Sequence, residues 1–502
     1  MQLIDTDGAP PAGALVPDQG PSVLTGSRRV GRLPLRRKAG YAAGQLVDLV
    51  VSSMLNIFVL FYVTAVCGLP GGLAGLALGG GIVVDAVMDP LIGSLSDGWR
   101  SRFGRRVPFM VGALVPLVLT FNLMFALPSG LGQAALFLWL MLLSACLRIS
   151  LSMFHLPYQA LGAELSDDYD ERSSIAVWRW GIGITGTLAV VGLGYGVFLA
   201  GPAGVSNRAA YLSLTLTLSV LLLAGALVAI RQGLATRYMQ HQTTAPTEAI
   251  HLRLYGEMRE MFRNRTFRIL FAASLFFNIE LGVNQALGLH VATFFWGLSS
   301  KQMQIVFVPA VLGLAVGAPL AVPLWKRFEK RTVLLIGMIG MVTCHALPVS
   351  LQLLGLLHLS KEGLIAVLSP LVFLGSLTMA LSLIAFLSII PDAADEHEHL
   401  FGTRREGLYF AGWAFATKAA TGGGVLIAGV VLQILNFPAQ MTEQAHAVVL
   451  PARTISWLAF AQGPGAALLS IAGIALALRY PINKQSHARI ISDLTARKRA
   501  AP

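Results

Sequence analysis

Twelve apolar stretches, each near the length of about 20 residues that crosses a bilayer, constrain the fold of this chain more than any other feature. They cover residues 41–66, 71–96, 108–128, 134–163, 174–200, 210–231, 267–297, 303–325, 332–358, 364–391, 408–437 and 456–479. With 55% hydrophobic and only 12% charged residues, the chain has too little polar surface for a water-soluble protein. The pattern predicts an all-α integral membrane protein with twelve transmembrane helices.

A polar loop at residues 232–266 divides the chain into two predicted six-helix bundles, at 41–231 and 267–480. The loop contains LRLYGEMREMFRNRTF, whose apolar spacing and basic face predict an amphipathic helix on the membrane surface. The second stretch is followed by GSLSDGWRSRFGRR, and the eighth by a degenerate counterpart, GAPLAVPLWKRFEKR. This echo indicates two pseudo-symmetric halves. The polar segments 1–40 and 481–502 are interpreted as cytoplasmic tails, the first of them disordered.

The basic residues indicate how this topology is oriented. Most of the 37 Lys and Arg residues fall in or beside loops that share one side of the membrane when the chain crosses it twelve times. Because Lys and Arg collect in cytoplasmic loops, this side is predicted to be cytoplasmic, with both termini there, in a plasma or bacterial inner membrane. The same bias accounts for the net charge of +12, so no nucleic-acid partner is expected.

Two carboxylates stand inside the second apolar stretch. Asp85 and Asp89 are four residues apart, so they share one face of a helix. If both were ionised about 6 Å apart at an effective dielectric of about 20, they would repel by about 2.8 kcal/mol. A cation or a proton is therefore predicted between them, and the alternative is a structural ion pair with Arg148 or Lys418.

Further polar side chains lie in the apolar stretches, where a charge is costly unless it faces a wet cavity. Glu280 is surrounded in sequence by amides, and its alternative role is a hydrogen bond between packed helices. A predicted stacking platform for a sugar ring consists of Tyr158, Gln159, Trp178 and Trp180, unless these side chains contact lipid or the core. The predicted substrate site is built from Asp48, Arg148, His155, Tyr158, Gln159, Arg179, Glu280 and Lys418.

The loop after the second stretch carries Gly93, Asp97, Gly104, Arg105 and Arg106. This pattern resembles the gating loop of the major facilitator superfamily, in which an acid and basic residues hold neighbouring helix ends together. The longer run, with DAVMDP upstream and RSRFGRRVP downstream, resembles the glycoside-pentoside-hexuronide cation symporters, the family of the melibiose permease. Three more segments are similar to that family: YAAGQLVDLVVSSMLNIFVLFYVTAVCGLP, FHLPYQALGAELSDDYDERSSIAVWRW and PDAADEHEHLFGTRREGLYFAGWAFATKAA.

The resemblance implies roles for several positions. Asp85 and Asp89 match the acidic pair that coordinates the coupling cation in the sugar symporters. Ser152 matches a hydroxyl that contributes to that site, and Lys418 matches a lysine close to it. Arg179 matches an arginine that donates to substrate.

Two departures from the family pattern leave the identities of the coupling ion and the substrate open. Met88 stands where the melibiose carrier has an amide ligand, and a thioether is a poor ligand for a hard cation, which favours a proton over sodium. His155 stands where that carrier has a sugar-binding aspartate. The His- and acid-rich run PDAADEHEH is interpreted as a charge network between helices rather than a metal site.

These features favour a secondary active transporter that carries a sugar, glycoside or related small polar solute with a cation by alternating access. The alternative is a carrier or exporter of amphipathic molecules such as lysolipids or drugs, because the same family includes lysolipid carriers. An enzyme or a receptor is disfavoured, since the sequence has no paired nucleophile and base, no ATP-binding motif and no soluble effector domain. The expected partners are a small-molecule substrate, the coupling cation (Na⁺ or H⁺) and the bilayer, for a monomer without a cofactor.

Overall fold

The computed structural model describes residues 33–166, 168–236, 259–403, 406–437 and 450–500, and no strand occurs among them. Twelve of its helices are long and apolar enough to cross a membrane. They are α1 (Leu35–Val59), α2 (Gly71–Gly98), α3 (Val107–Met124), α4 (Gln133–Glu164), α5 (Glu171–Phe198), α6 (Arg208–Ala235), α7 (Arg265–Phe295), α8 (Ser300–Arg327), α9 (Lys330–Leu353), α10 (Lys361–Phe401), α11 (Glu406–Ile434) and α12 (Ala452–Ala477). The predicted all-α fold class is confirmed.

Two helices reach further than predicted. α1 begins inside the predicted tail 1–40, where Lys38 Nζ lies 2.9 Å from Glu171 Oε2 at the start of α5. α10 continues through the run PDAADEHEH, and Asp392 of that run pairs with Lys330 at 2.8 Å. Ion pairs between helix ends thus allow charged sequence to stay helical beyond the apolar stretch.

A further helix, α13 (Lys484–Ala500), follows the last span and packs against the end of α10. His487 Nε2 lies 3.1 Å from Asp395 Oδ2 at this contact. Of the predicted surface helix LRLYGEMREMFRNRTF, residues 252–258 lie outside the described part of the chain, as does the predicted tail as far as residue 32. In the described remainder, a helical segment ends at Met261 and α7 begins at Arg265.

The helices repeat one packing pattern in two halves, α1–α6 and α7–α12. α2 and α3 pack against α4 as α8 and α9 pack against α10, and α1 packs against α5 as α7 packs against α11. This recurrence after six helices agrees with the echo in the sequence. Because successive helices alternate in direction, the loop with Arg105 and Arg106 lies on one face of the molecule, which we call the basic face; the other is the opposite face.

The two halves contact each other closely on the opposite face. Along α2 and α11 the backbones approach so closely that a Cβ atom added to Gly429 would lie 2.4 Å from the carbonyl oxygen of Gly71. Thr64 Oγ1, beyond the end of α1, lies 2.9 Å from His290 Nε2 of α7. The Tyr195 ring of α5 stacks on Phe307 of α8 with ring centres 5.7 Å apart. These contacts close the opposite face.

Several helices change winding near this closed face. Five-residue π-helical turns occur at Leu55–Val59 and Tyr62–Val66 along the first span, at Gly194–Phe198 in α5, at Val291–Phe295 in α7 and at Ala461–Gly465 in α12. A π turn adds one residue to a helical turn and rotates everything beyond it. The sequence pattern did not predict them.

Candidate functional site

The acidic pair of α2 meets a lysine from the other half of the molecule. Lys418 Nζ of α11 lies 2.8 Å from Asp85 Oδ2 and also hydrogen-bonds Asp89 Oδ2. The lysine side chain is 35% exposed, whereas those of Asp85 and Asp89 are 11% and 21% exposed. An ammonium group therefore lies between the two carboxylates, the arrangement that the sequence analysis gave as the alternative to a bound cation or proton.

Helix α4 completes this group. Ser152 Oγ donates to Asp85 Oδ1 over 2.6 Å, and Arg148 Nη1 lies 3.9 Å from Asp85 Oδ2. Asp89 Oδ1 is buried and has no hydrogen-bond partner. Carboxylate and hydroxyl oxygens are the donors that hard cations prefer, so this set of residues fits Na⁺ or H⁺ chemistry. We call these five residues the cation cluster.

A second polar network joins α1 to α5. Arg179 donates from Nη2 to Gln45 Oε1 over 2.9 Å, and Gln45 Nε2 donates to Asp48 Oδ2 over 3.0 Å. Ser52 Oγ donates to Asp48 Oδ1 over 3.3 Å. Arg179 and Asp48, both predicted substrate residues, are thus connected through Gln45, which the sequence analysis missed. Its position three residues before Asp48 on the same helix was the available signal.

The two α4 residues of the predicted stacking platform, Tyr158 and Gln159, do not form a surface for a sugar ring. Tyr158 is fully buried, stacked on Tyr41 with ring centres 4.7 Å apart, with the Arg179 guanidinium 5.2 Å from its ring centre. In this conformation the Tyr158 ring packs against Arg179 and Tyr41, and neither face of the ring is available to a solute. Gln159 is exposed and hydrogen-bonds His155, which is half-buried.

Glu280 lies apart from the cation cluster, in α7. Its side chain is 1% exposed, and its Oε1 is 3.1 Å from Nδ1 of His345 in α9. The nearby amides that the sequence indicated bond elsewhere: Asn278 to Ser274, and Asn284 to the backbone. His345 was missed, although a histidine in the middle of an apolar stretch was a visible signal.

A cavity of about 380 Å³ lies between the halves, towards the closed face. Most of its wall is apolar, including Leu49, Ile57, Leu289 and Phe307. Its polar lining consists of Ser52, Ser53, Asn56, Thr187, Asn284, Gln285, His345, Ser376 and Gln462. None of the predicted substrate residues lines this chamber directly. Asp48 hydrogen-bonds Ser52 and Glu280 hydrogen-bonds His345, and both of these partners line it.

A small void lies between the chamber and the cation cluster and shares lining residues with both. It has a volume of about 30 Å³, enough for a water molecule, and Arg148 lines it together with Asn56 and Gln285. The same two amides also line the chamber. Arg148, which faces Asp85, and two amides of the chamber wall therefore border the same void.

The predicted gating loop holds three helix ends together on the basic face. Arg106 Nη1 lies 2.6 Å from Asp97 Oδ1, and its Nη2 lies 3.1 Å from Glu164 Oε1 at the end of α4. Arg105 also pairs with Glu164 Oε1. Gly104 has a φ of +89°, a backbone conformation that favours glycine, whereas Gly93 lies inside α2. Glu164 is the residue of this group that the sequence analysis missed.

Comparison with known proteins adds an independent line of evidence. The family described as MFS/sugar transport protein matches residues 40–484. The uncharacterized symporter sll1374 of Synechocystis is 23% identical over 93% of this chain and 98% of its own length. The mouse sphingosine-1-phosphate transporter MFSD2B is 23% identical over 94% of each chain. The crystal structure of the nucleoside transporter NupG shares the fold, with a TM-score of 0.57 at 16% identity over 89% of this chain and all of NupG.

Proposed function

Since this chain belongs to the MFS/sugar transport protein family and is therefore a multi-pass membrane transporter, we propose that it carries an organic solute together with a cation. The basic face is the cytoplasmic one in this proposal, because Lys and Arg collect there. The conformation is then closed to the outside by the contacts on the opposite face. Alternating access exchanges the contacts on the opposite face for contacts between the basic ends of the two halves.

The observation that carries the coupling proposal is the ammonium of Lys418 held between Asp85 and Asp89. A coupling cation competes with Lys418 for the two carboxylates, and Asp89 Oδ1 supplies an oxygen without a partner. When the cation binds, the contact between α2 and α11 changes, and these helices belong to different halves. Cation binding thereby shifts the balance between the two conformations, which is the thermodynamic requirement for coupling.

The chamber supports an amphipathic substrate. The apolar part of such a substrate fits the chamber wall, which is formed by residues such as Leu289 and Phe307. Its polar or charged group fits the network of Arg179, Gln45 and Asp48, which meets the chamber at Ser52. Binding apolar surface against such a wall stabilises the complex in proportion to the area removed from water. The mouse relative named as a sphingosine-1-phosphate transporter is consistent with this choice.

A sugar or glycoside is the second candidate substrate. Its support is the polar lining of the chamber, in particular Asn56, Asn284, Gln285 and Gln462, because amides donate to and accept from sugar hydroxyls. The description of the matching family also names sugar transport.

Uptake into proteoliposomes tests both parts of the proposal. Labelled sphingoid phosphates, lysophospholipids and glycosides are offered under a sodium gradient or a pH gradient, with wild type, Asp89→Asn and the exposed control Glu362→Gln. We expect accumulation of an amphipathic substrate that Asp89→Asn abolishes and Glu362→Gln leaves intact. Normal gradient-driven accumulation by Asp89→Asn would overturn the cation assignment, and accumulation of glycosides alone would overturn the substrate class.

A further inference from the structure

Glu280 and His345 form a titratable pair outside the cation cluster. The carboxylate belongs to α7 and is 1% exposed, and the imidazole belongs to α9 and is 19% exposed. Oε1 of Glu280 lies 3.1 Å from Nδ1 of His345, while Oε2 is buried without a hydrogen-bond partner. His345 lines the chamber, so the pair is buried at one end and in contact with the solute space at the other.

The basic groups of the membrane interior are engaged elsewhere. Lys418 contacts Asp85 and Asp89, and Arg148 faces Asp85. Arg179 donates to Gln45, and His290 of α7 bonds Thr64. The apolar lengths of α10 and α12, which pack near α7, carry no ionisable side chain between Glu362 and Asp392 or between Arg453 and the end of α12.

The remaining ionisable groups near α7 are few. His345 shares α9 with the thiol of Cys344, which also lines the chamber. The first span, which packs on α7, carries Asp48, and that carboxylate receives hydrogen bonds from Gln45 and Ser52. Among the described residues, His345 is therefore the basic group in contact with Glu280.

We propose that the Glu280 and His345 pair is a proton-binding site of the transporter, separate from the cation cluster. With the imidazole neutral and protonated at Nδ1, the pair carries one negative charge. A proton from the chamber adds to Nε2, and the Nδ1 proton passes to Oε1 of Glu280. The result is a neutral carboxylic acid beside a neutral imidazole protonated at Nε2, and one proton has been taken up.

The position of the pair links proton binding to the solute. Asn284 and Gln285 follow Glu280 by about one turn of α7, and both line the chamber with His345. A bound solute that covers His345 separates the pair from water and retains its proton. The ligand of this site is H⁺, and the site adds a proton to the coupling proposed above, on which this inference rests.

Infrared difference spectroscopy of the full-length protein in lipid vesicles tests the inference without a substrate. The pH is varied from about 5 to about 8, the range in which histidine and buried carboxyl pairs exchange protons. We expect a protonated-carboxyl stretching band that titrates in wild type, is lost in Glu280→Gln and is retained in Glu362→Gln. The amide bands of each variant report whether the helices are intact.

A second variant keeps the test decisive if Glu280→Gln does not fold. His345→Leu leaves the carboxyl group in place and removes its nitrogen donor, so we expect the titration of the band to differ from that of wild type. A titrating band that persists unchanged in Glu280→Gln, or the same titration in His345→Leu as in wild type, would overturn the inference.

Sodium titration separates this outcome from a failure of the proposed coupling site. Asp89→Asn should remove spectral changes caused by sodium and leave the Glu280 band unchanged. Loss of the Glu280 band in Asp89→Asn would contradict the separation of the two sites, whereas sodium changes that persist in this variant would contradict only the cation cluster.

Discussion

Replacing Lys418 by methionine removes the ammonium between Asp85 and Asp89 and keeps the apolar stem of the side chain. The ammonium contacts both carboxylates, so the two nearest oxygens lie within about 6 Å of each other, which is two hydrogen-bond lengths. Both aspartates are mostly shielded from solvent. In Lys418→Met the two like charges face each other without a counter-ion between them.

The magnitude follows from the distance. At about 6 Å and an effective dielectric of about 20, two carboxylates repel by about 2.8 kcal/mol. A cation that binds between them relieves this repulsion, and each 1.4 kcal/mol changes affinity about tenfold. Arg148 stays 3.9 Å from Asp85, and its positive charge reduces the gain in cation affinity. The cation affinity of Lys418→Met should therefore exceed that of wild type by about 10-fold to 100-fold.

Thermal unfolding of the purified protein in detergent measures this affinity without a transport substrate. The midpoint is recorded while sodium chloride replaces choline chloride at constant ionic strength, and separately while pH is lowered at fixed sodium. Lys301→Met, an exposed lysine at the start of α8, is the matched control and should respond to sodium and protons as wild type does.

The result that would refute the reasoning is an unchanged titration. If Lys418→Met and wild type need the same sodium concentration and the same pH for stabilisation, Lys418 does not compete with the coupling ion. Adding Asp89→Asn to Lys418→Met should remove the gain in affinity. A gain that survives in the double variant would place the cation away from the acidic pair.

Two further predictions concern the two faces of the molecule. Glu164→Gln removes the carboxylate that accepts from Arg106 over 3.1 Å, and we expect a loss of about 1–3 kcal/mol in stability, seen as a lower unfolding midpoint in detergent. An unchanged midpoint would mean that the gating loop is held by its other contacts. Gly429→Leu cannot fit against Gly71, so it should open the opposite face. A Thr64→Cys reporter, buried at that face, should then react several-fold faster with a membrane-impermeant maleimide than it does without Gly429→Leu; equal rates would contradict the prediction.

The fold was predictable because membrane crossing depends on length and polarity, which are local properties of the sequence. The twelve spans and the unusual acids Asp85 and Asp89 were visible for that reason. Where a boundary was wrong, as at the start of α1, a charged residue was neutralised by a distant partner: Lys38 by Glu171. Such pairs depend on which helix ends become neighbours.

The site was predictable only in part, because its contacts join helices far apart in the chain. The pairing of Lys418 with Asp85 spans the two halves, and the sequence offered it only as the alternative to a bound cation. Gln45, Glu164 and His345 were missed since each acquires its role from a partner on another helix. The rotation of a helix decides which side chain faces that partner, and π turns alter this rotation without a clear sequence signal.

The cation cluster also has a consequence for electrical behaviour. Two carboxylates, Asp85 and Asp89, lie against two basic groups, Lys418 and Arg148, and their formal charges add to zero. The empty carrier therefore crosses between its conformations without moving net charge at this cluster. With one monovalent cation bound the cluster carries one positive charge, on which the membrane potential acts with about 2.3 kcal/mol per 100 mV. In the proposed coupling, the membrane potential therefore acts at this cluster on the cation-loaded carrier and not on the empty one.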